Sequence, residues 1–171
     1  ATLPRPMSPP AVTVDADRLV ATASRMIDTW SFTGSEEGMA RLMVELYDEL
    51  GLRTQWQQVE DGRANALGIW EGAGGGKSLM FNGHMDTSYS GREPWLAGVP
   101  GFQPQAFVRD GRLYGLGVSN MKGALACYVE AVRALRDAGV RLEGDVLIAA
   151  VAGEIEKTQY GAAQGAEYRG Y

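Results

Sequence analysis

The chain has 171 residues, 45% hydrophobic content and a formal net charge of −5. That length suits a single domain able to bury about 70% of its unfolded surface, and the acidic balance argues against nucleic acid or anionic membrane as partners. A lone cysteine, Cys127, excludes an internal disulfide and suits a reducing cytoplasm, while the apolar stretch from Val146 to Ala152, seven residues, is too short to span a bilayer.

Residues 1–14 open the chain with four of its seven prolines and lack the apolar core of a signal peptide. They read as an extended arm lying on a partner. Leu19, Ala23, Met26, Ile27 and Trp30 form one stripe and predict a helix from about Ala16 to Trp30. A second helix carries Met39, Leu42, Met43, Leu46, Tyr47 and Leu50 on its apolar face. Ser35 is its expected cap, Glu36 and Glu37 suit the positive end of its dipole, and Gly51 stops it. Arg53 to Val59 and Ala64 to Trp70 read as strands joined by the turn Glu60-Asp61-Gly62-Arg63. The run Gly72 to Ser78 ends like a phosphate loop. Glu71, however, stands where that motif requires its first glycine, and a strand follows instead of a helix, so a flexible turn is expected.

Ser78 to Asn82 is then expected as a buried strand that delivers His84 and Asp86 at its carboxyl end, where open α/β sheets place their ligands. The loop from Thr87 to Gln105 is long enough to suggest a functional role, with Trp95 either lining the substrate entrance or packing within the loop. Gln105 to Arg109 and Arg112 to Tyr114 form a small hairpin around Asp110-Gly111. A helix from about Met121 to Ala138, ended by Gly139, presents Leu125, Tyr128, Val129, Val132 and Leu135 to the sheet, with Cys127 assigned to core packing. Asp145 to Val151 is the last strand, and Glu154 sits just past its tip.

Three motifs therefore fall at strand ends or a helix start on one side of a sheet: Asn82-Gly83-His84-Met85-Asp86, Gly115-Leu116-Gly117-Val118-Ser119-Asn120-Met121-Lys122-Gly123, and Ala152-Gly153-Glu154-Ile155-Glu156. Asp86 can fix the tautomer of His84, the only histidine, and leave its other nitrogen free to accept or donate a proton. Glu154, in a partly desolvated cleft, would have the raised pKa of a general acid or base. Asn120 reads as a site residue beside Ser119 or as a turn residue capping the following helix.

In this order the motifs resemble the active-site framework of the zinc metallopeptidase and amidohydrolase family of acetylornithine deacetylase, succinyl-diaminopimelate desuccinylase, aminoacylase and glutamate carboxypeptidase. The resemblance implies an α/β fold, a three-layer mixed sheet flanked by helices. Residues 15–171 would form the N-terminal portion of a zinc-peptidase-like catalytic domain, completed by a second polypeptide or a cleaved remainder. It places His84 as a metal ligand oriented by Asp86, Asn120 at the carboxylate that bridges two metals, Glu154 at the general base and Ile155 at a metal ligand. Glu156 could replace that last ligand only if the loop shifted by one residue. Two divalent cations about 3.5 Å apart repel by roughly 19 kcal/mol at an effective dielectric of about 20, and a neutral amide offsets none of it. The expected cofactor is therefore none or a single zinc ion, and a dinuclear site is not expected.

The first functional reading is an enzyme that acts on a small amide or N-acyl amino-acid-like substrate through Glu154, His84 and Asp86 without a dinuclear metal, in the hydrolytic or the amide-forming direction. The second is a conventional zinc-dependent deacylase whose missing ligands come from a partner chain or Glu156. The third is a non-catalytic structural subunit. Arginine outnumbers lysine thirteen to three, which suggests a GC-rich bacterial genome.

Overall fold

In the computed structural model, which describes residues 10–155, Asp15 accepts the backbone N–H of Arg18 at 3.0 Å and starts α1 (Ala16–Asp28). The hydroxyl of Thr29 donates to the Arg25 carbonyl at 2.8 Å and ends α1 short of Trp30. The next helix, α2 (Glu37–Glu49), has no side-chain cap. Ser35 does not fill that role, because its N–H closes a turn onto the Phe32 carbonyl. Glu36, expected as a dipole partner, is instead fully buried against Arg63, whose Nε lies 2.8 Å from its Oε2. This ion pair ties the start of α2 to the hairpin turn between β1 (Arg53–Glu60) and β2 (Arg63–Trp70). Gly51 takes a left-handed φ of 63° and stops α2 as expected.

The remaining elements are β3 (Leu79–His84), the hairpin of β4 (Phe107–Arg109) and β5 (Arg112–Tyr114), α3 (Gly123–Asp137) and β6 (Val146–Val151). The main sheet runs β1-β2-β6-β3, with β6 antiparallel to β2 and parallel to β3. Register puts Gly68, Phe81, Gly83, Ile148 and Ala150 on one face. Both α2 and α3 pack there. A Cβ at Gly68 would lie 2.6 Å from the Tyr47 ring and one at Gly83 2.9 Å from Leu125, and Phe81 stacks on Tyr128 at 4.8 Å. Such close approach requires glycine. The opposite face carries Leu67, Met80, Leu147 and Val151. The architecture is the expected α/β one, a mixed sheet flanked by helices.

Three local expectations need correction. β3 is not a buried strand: it is an edge of the described sheet, with Leu79 52% and Met80 54% exposed, and only its carboxyl end is covered. The glycine run is held in place, since Ala73 and Gly74 donate backbone N–H groups to Leu142 and Glu143 and Gly72 donates to the Asp145 carboxylate. In α3 the buried positions are Leu125, Ala126, Val129, Glu130, Val132 and Ala134, which turns Cys127 to the exposed side and removes it from the core. Among the described residues no helix is long and apolar enough to cross a membrane.

Candidate active site

His84 ends β3 directly opposite Val151 of β6. Because the two strands are parallel, their carboxyl ends open on the same side, and the turn that carries Glu154 arrives beside the imidazole. Asp86 fixes that turn. Its fully buried carboxylate accepts the backbone N–H groups of Glu154 at 3.2 Å and Ile155 at 3.0 Å and the hydroxyl of Thr33 at 2.8 Å. It also lies 3.2 Å from Nδ1 of His84. Burial alone would raise its pKa; bonds from His84, Thr33 and the Ile155 N–H outweigh that and hold the carboxyl below its usual range.

Nε2 of His84 lies 2.9 Å from Oδ1 of Asn120 and 3.5 Å from a carboxylate oxygen of Glu154. With Asp86 on the other nitrogen, both ring nitrogens face oxygen acceptors, an arrangement that favours the imidazolium. Burial would lower the pKa of His84, but the bonds to Asp86 and Asn120 and the charges of Asp86 and Glu154 raise it above the ordinary histidine value. The desolvated surroundings expected for Glu154 are not found among the described residues, because its side chain is 62% exposed beyond the strand tip. The backbone grip of Asp86, rather than burial, sets its position.

Asn120 is not a helix cap. It has extended dihedrals (φ −144°, ψ 93°) within the kinked turn Val118–Lys122, and α3 starts only at Gly123. Ser119 and Asn120 line a cleft of about 260 Å³ that the loop after Asp86 closes from the other side with Thr87, Tyr89 and Phe102. Trp95, on the short turn Pro94–Leu96, is 72% exposed and is not among the residues lining this cleft. Glu156 lies outside the described residues.

Two contributors were not anticipated from the sequence. Thr33 reaches Asp86 from the α1–α2 connection, 53 residues away, and nothing local marks it. Lys122 is buried, and its Nζ donates to the Thr29 carbonyl at the end of α1 at 2.7 Å; burial lowers its pKa to about 8. A lysine at the start of an apolar helix was a readable signal for this second role.

Zinc, which the resemblance implies, takes nitrogen, oxygen or sulfur donors in tetrahedral sets. Here both oxygens of Asp86 accept N–H or O–H donors, and position 155 carries an apolar side chain. The 2.9 Å separation of His84 and Asn120 is a hydrogen-bond distance, whereas two donors on one tetrahedral zinc lie about 3.4 Å apart. Among the described residues no group of three or more His, Cys, Asp or Glu is placed to hold a metal ion. By themselves these residues do not supply a zinc site.

Known proteins resemble the chain in sequence and in fold. The chain is 32% identical over 120 residues to N-formyl-4-amino-5-aminomethyl-2-methylpyrimidine deformylase of Bacillus subtilis (strain 168), a match covering 69% of this chain and 28% of that relative. The chain thus matches less than a third of that relative's length. Among solved structures, a tripeptidase from Staphylococcus aureus superposes with a TM-score of 0.67 at 20% identity, covering 86% of this chain and 38% of the other. The aminopeptidase PepT from Bacillus cereus gives 0.68 at 19% identity, covering 88% and 40%. At such identities these two likenesses speak to the fold. Residues 80–169, which hold all three motifs, match the model of peptidase family M20/M25/M40, and the chain belongs to that family.

Proposed function

We propose that this chain forms part of an amidohydrolase acting on a small amide or N-acyl amino-acid-like substrate, with Glu154 and His84 as an acid–base pair and Asp86 as the residue that positions both. The observation carrying this reading is the convergence on His84: Asp86 at one ring nitrogen, Asn120 and Glu154 at the other, with the Glu154 backbone held by Asp86. In the hydrolytic direction, the Glu154 carboxylate takes a proton from water as the water oxygen attacks the acyl carbon. The imidazolium of His84 donates to the oxygen on which negative charge develops. Glu154 then passes its proton to the leaving nitrogen, the C–N bond breaks, and an acid and an amine are released. The deformylase relative, whose name specifies an N-formyl compound, supports a small N-acyl group as the cleaved part.

The same proposal places residues 15–171 in the N-terminal portion of the catalytic domain, with a second polypeptide or a cleaved remainder covering the β3 edge. The exposure of Leu79 and Met80 on that edge supports this, since proteins cover or pair such strands. An exposed single thiol, Cys127, agrees with a reducing cytoplasm. Family membership sustains a second reading, in which Glu156 or a partner's residues complete a site for one zinc ion and Glu154 activates water beside it.

Activity on N-formyl and N-acetyl amines, measured on the purified protein before and after chelation, separates these readings. Retained turnover after chelation, together with a loss on the order of 10²- to 10⁴-fold in Glu154→Gln, is expected. Activity that disappears with chelation and returns with zinc would establish the metal-dependent reading. Unchanged turnover in Glu154→Gln would leave the chain a structural subunit.

A further inference from the structure

Among the described residues, none that lines the cleft beside His84 is charged. Its thirteen lining residues are Thr, Ser, Tyr, Pro, Gly, Phe, Leu, Val and Asn side chains or backbone, drawn from the loop after Asp86 and from the segment Tyr114 to Asn120. One of them, Asn120, places its amide oxygen 2.9 Å from Nε2 of His84, so the cleft is continuous with the proposed reaction centre. Its aromatic walls are held by ring contacts, two of them with each other. Tyr89 meets Phe102 edge to face at 5.7 Å, and Tyr114 stacks on Phe107 at 5.0 Å with an interplanar angle of 6°. The floor is fixed too. A Cβ at Gly115 would fall 2.2 Å from Ile27, and one at Gly117 2.7 Å from Thr87, so this backbone is pressed against its supports.

We propose that the cleft lined by Tyr89, Phe102, Tyr114, Ser119 and Asn120 receives an uncharged ring of the substrate and selects it over a charged group of the same size. The assignment rests on the acid–base reading of His84 and Glu154 for its place in catalysis, and names the substrate class that the site takes. Size decides the upper limit. A cavity of about 150 Å³ already holds benzene, so about 260 Å³ accommodates one six-membered ring with a short substituent. Charge decides the sign of selection. The cations nearest the cleft are already engaged, His84 by Asp86 and Asn120, Lys122 by the Thr29 carbonyl and Arg109 over the rings of Phe107 and Tyr114, so a carboxylate carried into it would find no free cation among the lining residues, and an ion desolvated without a partner is strongly disfavoured. Faces of Tyr89, Phe102 and Tyr114 favour a ring that can stack or meet them edge to face. Because these walls are braced, little ordering remains to oppose binding.

Benzamide, benzoate and acetamide are suitable probes, since the first two differ in charge at nearly constant shape and the third lacks the ring. Titrated into the intact chain and followed by backbone amide NMR, benzamide is expected to shift Gly101, Gly115, Gly117 and Ser119 and to bind at least about tenfold more tightly than either of the others, a gap of about 1.4 kcal/mol. Ser119→Trp, which fills the cleft from an exposed position, and Tyr89→Ala, which removes a wall, are each expected to weaken benzamide severalfold. Absent benzamide binding, shifts elsewhere on the molecule, equal or tighter binding of benzoate, or unchanged affinity in both variants would overturn the proposal. Glu154→Gln should keep benzamide affinity within about twofold, a difference under 0.5 kcal/mol. If Glu154→Gln retains full turnover while benzamide still binds in the cleft, the acid–base reading fails and the ring-binding cleft stands.

Discussion

Removing the hydroxyl of Thr33 would take one donor away from a carboxylate that is sealed from water. Thr33→Val is therefore expected to destabilise the fold by about 1.5–3 kcal/mol, the range for hydrogen bonds to charged groups, as read from denaturant unfolding. His84 offers a second check. Its folded pKa lies above the ordinary value, so its bonds to Asp86 and Asn120 add stability that is fully present below pH 6.5 and is lost as pH rises through the folded pKa. NMR titration of the single imidazole should report that raised value, and Asp86→Asn should lower it. The pairing of His84 with Asp86, and of both with Glu154, was legible from the order of three short motifs. The exposure of Glu154 was not, because the end of an apolar strand does not reveal what lies beyond its tip. Thr33 was equally hidden, since its contact depends on a loop distant in sequence closing onto Asp86.

Helix α2 and strand β2 meet where Gly68 leaves room for the ring of Tyr47. The ring is fully buried, and its hydroxyl has no hydrogen-bond partner among the described residues. Burial pushes that phenol well above its ordinary pKa. Tyr47→Phe is expected to be neutral or to raise stability by up to about 1 kcal/mol, because it deletes an unsatisfied polar group and leaves the packing intact; thermal unfolding of the two proteins provides the comparison. The helices were readable because their stripes repeat at three and four, and the hairpins because Asp-Gly pairs mark their turns. Ends were harder. Ser35 has the chemistry of a cap, yet the turn was decided by Arg63, which draws Glu36 inward. The apolar run of β3 looked buried because a short apolar stretch does not disclose whether its strand is central or at an edge.

Across the molecule, Lys122 links the glycine loop to the end of α1 at an electrostatic cost. With its pKa lowered to about 8 in the folded state from 10.5, the full cost of burying an ammonium is carried below pH 8. Between pH 8 and 10.5 the unfolded chain keeps a proton that the native chain has released, so stability should rise with pH by up to roughly 3 kcal/mol. Lys122→Met should flatten that slope in unfolding curves measured across the same interval. The strand order also has a consequence during synthesis. β6 inserts between β2 and β3, although both are translated well before it. At roughly 5–20 residues per second, the stretch from Trp70 to Val146 occupies the ribosome for about 4–15 s. From its own synthesis until that of β6, the inner edge of each of β2 and β3 lacks this neighbour, and a chaperone or another nascent strand could occupy the open slot before β6 does. The reaction centre, whose Glu154 follows β6, therefore assembles only when that late strand closes the sheet.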